Sequence, residues 1–310
     1  MNAPLILVAG SANLDFVVRA ARIPAPGETV LGRDFQTFPG GKGANQAIAC
    51  ARAGGVATQM LLALGDDGFA APLEASLREA GVGLHVVRSV DAPTGTAFIC
   101  VSDDAENAIT VAPGANACLG PQHLPPLAGV SFLLLQLETP LASVTAYAQA
   151  AHAAGVRVVL NAAPAAPLPA ELLAALDLLI VNEGELAAVS GISSDIDAAL
   201  AAVDVPNVVV TLGARGARAR CGPAQFVQTG FPVAAVDTTA AGDTFCGMLV
   251  AALARGTDWP LALRQACAAA ALACTRPGAQ GSIPSHDEVI AFLNLHLDPL
   301  SDPPLGTPPV

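Results

Sequence analysis

The chain has 310 residues, 53% of them hydrophobic and 13% charged, with 26 acidic against 14 basic side chains for a net charge of −12. That length and apolar content suit one large α/β domain or two modest ones and exclude disorder over most of the chain. The acidic excess counts against nucleic acid and an anionic membrane surface as partners, although a few backbone N–H groups can still hold a small anion locally.

Residues 5–9 form a continuous apolar run that ends at Gly10-Ser11, which predicts a buried strand. Similar runs recur at 60–64, 132–137, 157–160, 177–181 and 208–212, between helix-like segments at 43–53, 69–80, 141–154, 170–175, 183–189 and 195–203. This alternation predicts a mostly parallel sheet covered on both faces. Residues 16–38 and 96–111 break the rhythm: they alternate apolar with polar side chains and carry turn formers such as Pro26-Gly27 and Asp103-Asp104. They read as short antiparallel strands, either a small β-sheet lid over the main domain or hairpins at its edge. Helices are expected at 242–254, 260–275 and 285–294, with Trp259 packing at the start of the second. The Pro-rich tail 296–310 is expected to be disordered, leaving a single domain over 1–295.

Seven scattered cysteines without a CxxC pair read as buried free thiols of a reducing cytoplasm. The N-terminus lacks a basic secretory n-region, and the Ala-rich run 266–275 is too short to cross a bilayer, so a cytoplasmic location is expected. His85, His123, His152, His286 and His296 lack metal-site spacing and read as surface or loop residues. Arg215, Arg218 and Arg220 lie in a period-two pattern that predicts a solvated strand face.

Three motifs carry chemistry. In Asp237-Thr-Thr-Ala-Ala-Gly-Asp243, the small turn Ala240-Ala241-Gly242 leads straight into a helix. N–H groups at a helix N-terminus form an anion hole, and Asp243 beside it can accept a proton from an attacking hydroxyl. The same carboxylate could instead be a simple N-terminal helix acid. Pro39-Gly-Gly41-Lys42-Gly43-Ala-Asn45 also enters a helix but lacks the P-loop spacing; it suits close backbone approach to a polyhydroxylated ligand. Gly10-Ser-Ala-Asn13-Leu-Asp15 follows the first strand, where open α/β sheets bind ligands; Asn13 and Asp15 could grip neighbouring hydroxyls or form an Asx turn.

GSANLD, PGETVLG, FPGGKGANQA, TGTAF, ENAI, PGANA, QLETP, NEGE, VTLGARG, VDTTAAGDTF and TRPGAQGSIP occur in the order seen in the ribokinase family, so the chain resembles that branch of the PfkB-type carbohydrate kinases. The resemblance runs from about residue 5 to about residue 294. It implies a three-layer α/β/α sandwich with a small β-sheet lid, formed by about 14–40 and 95–112. It further implies that Asn13, Asp15, Gly41, Lys42, Gly43, Asn45 and Glu138 line a sugar pocket. Asn182 and Glu185 would face the phosphates and Mg²⁺, and Thr211, Gly213, Arg215 and Gly216 would hold ATP. Cys267 falls where the family places a polar adenine contact, a departure that removes a side-chain hydrogen bond. A K⁺ ion would sit among Asp237, Thr239, Ala273, Arg276, Gly278 and Ser282.

The implied reaction transfers the γ-phosphate of ATP to the 5-hydroxyl of D-ribose, with Asp243 as base and a homodimer formed through the lid sheet. Deoxyribose, a nucleoside or another furanose is the alternative acceptor. A non-catalytic sensor would not need Asp243 beside an anion hole, and a nicotinamide oxidoreductase would need a G-x-G-x-x-G after the first strand, which is absent.

Overall fold

The computed structural model describes residues 3–104 and 106–296, so the Pro-rich segment from 297 onward lies outside the described residues. A nine-stranded sheet contains β1 (Leu5–Ala9), β4 (Ala57–Gly65), β5 (Gly83–Ser89), β8 (Val130–Leu135), β9 (Arg157–Asn161), β10 (Leu178–Asn182), β11 (Asn207–Thr211), β12 (Ala217–Cys221) and β13 (Ala224–Gln228). Their order is β13-β12-β11-β10-β9-β8-β1-β4-β5. All neighbours from β11 to β5 pair parallel, and β12 and β13 add an antiparallel hairpin at one edge.

The continuous apolar runs follow from burial on both sides. In β1, Ile6 and Val8 point into one core and Leu7 and Ala9 into the other, all essentially inaccessible to water. One face is covered by α1 (Lys42–Ile48), α2 (Ala70–Glu79), α7 (Ala241–Ala254), α8 (Trp259–Ala273) and α9 (His286–Leu295). The other is covered by α3 (Leu141–Ala153), α4 (Ala170–Leu173), α5 (Glu183–Ser190) and α6 (Ile196–Ala202). Side-chain caps set several helix starts: Asn182 accepts from Glu185 N–H in a reciprocal capping box, and Asp258 caps α8 ahead of Pro260. The helix expected over 43–53 is divided, because α1 passes into a π-helical turn at Ala49–Ala53.

The two stretches that broke the α/β rhythm form a separate four-stranded sheet of β2 (Asn13–Ala20), β3 (Gly32–Gly40), β6 (Gly95–Val101) and β7 (Asn107–Ala112), ordered β3-β2-β6-β7. It is not wholly antiparallel: β2 and β6 run parallel at its centre. Asn13 and Asp15 therefore belong to this small sheet, one turn after β1.

Candidate active site

The strand order sets the site. β1, β8, β9, β10 and β11 are consecutive neighbours, and their C-terminal ends deliver Ser11, then Gln136 and Glu138, Asn161, Asn182 and Thr211 in a row. Above this row stand the N-termini of α1 and α7, which pack against each other. Gly41 precedes α1 at φ 90°, and a Cβ there would lie 2.8 Å from Ala12 Cα and Asn13 N. Only glycine fits this turn, and so the chain can bring Lys42 and Asn45 beside β2.

Asp243 occupies the first turn of α7 and is buried. Its Oδ2 accepts from Asn45 Nδ2 and its Oδ1 from Gln46 Nε2, both at 2.9 Å. Asn45 Oδ1 is buried without a partner among the described residues, leaving an acceptor for a hydroxyl donor. Glu138 accepts from Ser11 Oγ at 2.5 Å and from the Lys42 N–H at 3.1 Å. Asn116, absent from the expected set, donates to Asn13 Oδ1 at 2.8 Å and fixes that side chain. Burial, with the charges of Glu138 and Asp243, pushes the Asp15 carboxyl up to about 7. Burial disfavours the Lys42 ammonium, but Asp243, Glu138 and Glu185 outweigh it and hold its pKa above the ordinary value. The buried Asn13, Asp15, Asn45 and Asp243 thus form one polar cluster with the half-buried Glu138 and Lys42.

Two cavities meet at the start of α7. The first, of about 260 Å³, is lined by Lys42, Asn161, Asn182, Glu185, Ala240, Gly242 and Asp243. The second, of about 510 Å³, is mainly apolar and lies among Gly213, Gly216, Phe231, Val233, Phe245, Cys267 and Ala270. Thr211, Thr238 and Gly242 border both, so one continuous groove ends at Asp243. Burial pushes the Glu185 carboxyl up, against the opposing pull of the Asn182 N–H and Lys42. Burial also drives the Cys267 thiol up to about 12, so it lies in the wall as a neutral group. Arg215 does not line the groove: it forms an ion pair with Glu183 in the first turn of α5.

The start of α7 differs in one respect from the expected anion hole. Ala240 adopts a left-handed conformation at φ 59° and turns the chain into the helix, and Ala241 N–H already bonds Thr238 O at 3.2 Å. The first intrahelical bond runs from Thr244 N–H to Ala240 O, so the donors that face forward are those of Gly242 and Asp243.

The expected cation ligands come from two loops that Asp237 joins. Its Oδ1 accepts from Thr239 N–H and Oγ, and its Oδ2 from Gly278 N–H. Burial works to raise this carboxyl, but those bonds outweigh it and hold the pKa below the ordinary value. Ser282 is fully buried and donates to Ala279 O, Ala273 is buried at the end of α8, and the Arg276 guanidinium turns to Glu288. The donors gathered here are carboxylate, carbonyl and hydroxyl oxygens, which suit a hard cation in kind.

Two further sequence expectations changed. The arginines of β12 are tied down rather than simply solvated: Arg218 pairs with Asp197, and Arg220 donates to the carbonyls of Leu200, Val203 and Val205 at the end of α6. All seven cysteines are free, but Cys118 is exposed and Cys100 and Cys274 are half-buried.

An apolar slot opening onto a helix N-terminus, with a carboxylate between it and a polar cluster, belongs to a small-molecule phosphotransferase of the α/β class. Residues 3–286 match the pfkB family carbohydrate kinase, and the chain belongs to that family. It is 40% identical over 301 residues to a ribokinase of Haemophilus influenzae, covering 93% of this chain and 98% of that one. It is 38% identical to a ribokinase of Bacillus subtilis, covering 93% and 99%. The structure of Arabidopsis thaliana ribokinase complexed with ribose and ATP superposes with a TM-score of 0.85 at 33% identity, covering 94% of this chain and 99% of that one.

Proposed function

We propose that this chain phosphorylates the 5-hydroxyl of D-ribose with ATP. The observation that carries the reading is the position of Asp243, at the junction of a nucleotide-sized groove and a buried set of hydroxyl-binding side chains. ATP lies along the groove, its base in the apolar part and its phosphates toward Lys42 and the α7 N-terminus. Asn13, Asp15, Asn45 and Glu138 hold the secondary hydroxyls of the sugar under the small sheet, which acts as a lid over 14–40 and 95–112. The 5-oxygen attacks the γ-phosphorus as the bond from the γ-phosphorus to the bridging β–γ oxygen breaks. Asp243 takes the hydroxyl proton, and ADP leaves with the electrons of the broken bond. The Gly242 and Asp243 N–H groups stabilise charge on the transferring group. Closure of the lid excludes water as a competing acceptor.

Glu185, whose Oε1 is left over from the capping box with Asn182, would hold Mg²⁺ from the wall of the cavity, and the ion would supply charge neutralisation to the phosphates. The Asp237 loops fit K⁺ in donor type, and fixing them would steady the turn that precedes Gly242. A homodimer through the lid is supported by its uncovered aromatic face, where Phe35 and Phe98, each more than half exposed, stack on Phe16. No helix among the described residues is long and apolar enough to cross a membrane.

The test is a panel of pentoses, deoxypentoses and nucleosides with Mg·ATP, in K⁺ or in tetramethylammonium at matched ionic strength. D-ribose should be the best acceptor. 2-Deoxyribose should be poorer by about 5- to 150-fold in kcat/KM, because the missing hydroxyl leaves a buried partner unpaired at about 1–3 kcal/mol. K⁺ should raise the rate. Equal kcat/KM for ribose and deoxyribose would remove the ribose assignment, and equal rates in the two cations would remove the K⁺ site.

A further inference from the structure

The proposed base is held by a buried chain of amides that the reaction itself does not require. Gln46 is fully buried on α1, and its Nε2 donates both to Asp243 Oδ1 at 2.9 Å and to Asn161 Oδ1 at 3.0 Å. Its Oε1 accepts from Gln136 Nε2 at 2.7 Å, and Gln136 is fully buried as well. Asn161 is anchored in turn by donating to Ile180 O at 3.1 Å.

The direction of the chain follows from the chemistry of its last member. A carboxylate accepts and does not donate, so the Gln46 amino group must face Asp243 and its carbonyl must face away. Gln136 must then present its own amino group to that carbonyl. Its Oε1 is left buried with no partner among the described residues, pressed towards Gly10, where a Cβ would lie 1.9 Å from it. An unsatisfied buried acceptor costs stability, and two apolar residues of similar shape would avoid that cost. The cost is incurred where it fixes one orientation of Gln46.

We infer that Gln46 is a positioning residue for Asp243, and that Gln136 keys Gln46 so that its amino group, and never its carbonyl, meets the base. Asn45 holds the outer carboxylate oxygen and Gln46 the inner one, so the carboxylate plane is fixed by two donors on the same helix. A carboxylate held in this way meets the sugar hydroxyl without a rotamer search. The inference rests on Asp243 being the base.

The test compares Gln46→Met, Gln136→Met, Asp243→Asn and the Gln46→Met/Asp243→Asn double variant, using the best acceptor of the sugar panel and Mg·ATP. Gln46→Met should lower kcat by about 10- to 100-fold while both KM values stay within about twofold, because neither substrate touches Gln46. In the Asp243→Asn background the same change should cost no further rate, because the group it positions is gone. Gln136→Met should lower kcat by about 3- to 10-fold with little change in Tm, since it exchanges the unpartnered Gln136 Oε1 for an unpartnered Gln46 Oε1. A role in packing alone would lower Tm and rate together. Gln46→Met with kcat within twofold of the parent overturns the inference, as does a loss that persists in the double variant. If Gln46→Met does not fold, Gln136→Met decides alone: unchanged kcat, or kcat and Tm falling together, overturns it. If Asp243→Asn itself keeps its turnover, the base assignment has failed too; if Asp243→Asn loses turnover and Gln46→Met does not, only the positioning role has failed.

Discussion

The two ends of the site are built from opposite materials. The proposed sugar end gathers the buried Asp15, Asn45 and Asp243 with the half-buried Lys42 and Glu138, and burial with neighbouring charge pushes the Asp15 carboxyl up to about 7. The proposed nucleotide end is a slot of Phe, Val, Ala and thiol surfaces in which Thr211 and Thr238 are the polar side chains. Burying charge without full pairing costs folding stability, and a polyol that supplies the missing donors recovers it on binding. An apolar slot costs little to fold and selects by shape and area. Discrimination between closely related ligands should therefore be sharp at the sugar end and broad at the nucleotide end.

Asp15→Asn should break the contrast most visibly. It removes a charge-assisted acceptor and should lower kcat/KM for ribose by about 10- to 100-fold, leaving KM for ATP unchanged. The pH dependence follows from the raised carboxyl. Ionised Asp15 is the better acceptor, so kcat/KM for ribose should fall as pH drops through about 7, and the Asn variant should lose that limb. Stability should move the other way. The folded-state pKa lies above the unfolded value of 3.8, so the stability Asp15 contributes without sugar is present below about pH 4 and is lost as pH rises through about 7. Asp15→Asn should accordingly be more stable than the parent at pH 8, by on the order of 2–4 kcal/mol, and equal to it near pH 4. Equal Tm at both pH values would show that the sugar end carries no such cost.

Cys267→Asn sharpens the other end and should have a much smaller effect. An amide in the apolar wall gains a polar partner from adenine but none from the neighbouring alanines. It should change KM for ATP by less than about tenfold, while widening the preference for ATP over GTP. A large fall in kcat would mean that the thiol does more than line the slot.

Much of the scaffold was legible because its signals are strong. Continuous apolar runs mark β1, β8, β9 and β10 as strands buried on both faces, and the interrupted rhythm marks the small sheet. The Gly-rich turn and the Asp243 turn carry local signals of close approach and helix entry, and the structure brings Asn45 and Asp243 into contact across 198 positions of sequence. What was not legible depends on tertiary pairing. Gln46, Gln136 and Asn161 are ordinary amides in the sequence, and only strand order and helix packing join them to Asp243. Asn116 lies in the quoted PGANA run, but its role needs the approach of Ala12 and Asn13. Arg215 and Arg220 read alike, yet one pairs with an acidic residue at the start of a helix and the other satisfies carbonyls at the end of another. The strand β5 pairs with β4 at the sheet edge, where partial burial weakens the apolar run that would have marked it.

The central claim is that Asp243 takes the proton from the attacking sugar hydroxyl. The most direct measurement is steady-state turnover of Asp243→Asn with D-ribose and Mg·ATP, beside equilibrium binding of each substrate to the same protein. Asparagine keeps the size of the side chain and one acceptor but loses basicity. The account predicts a fall in kcat of about 10²- to 10⁴-fold with both dissociation constants nearly unchanged. Turnover close to that of the parent would contradict it.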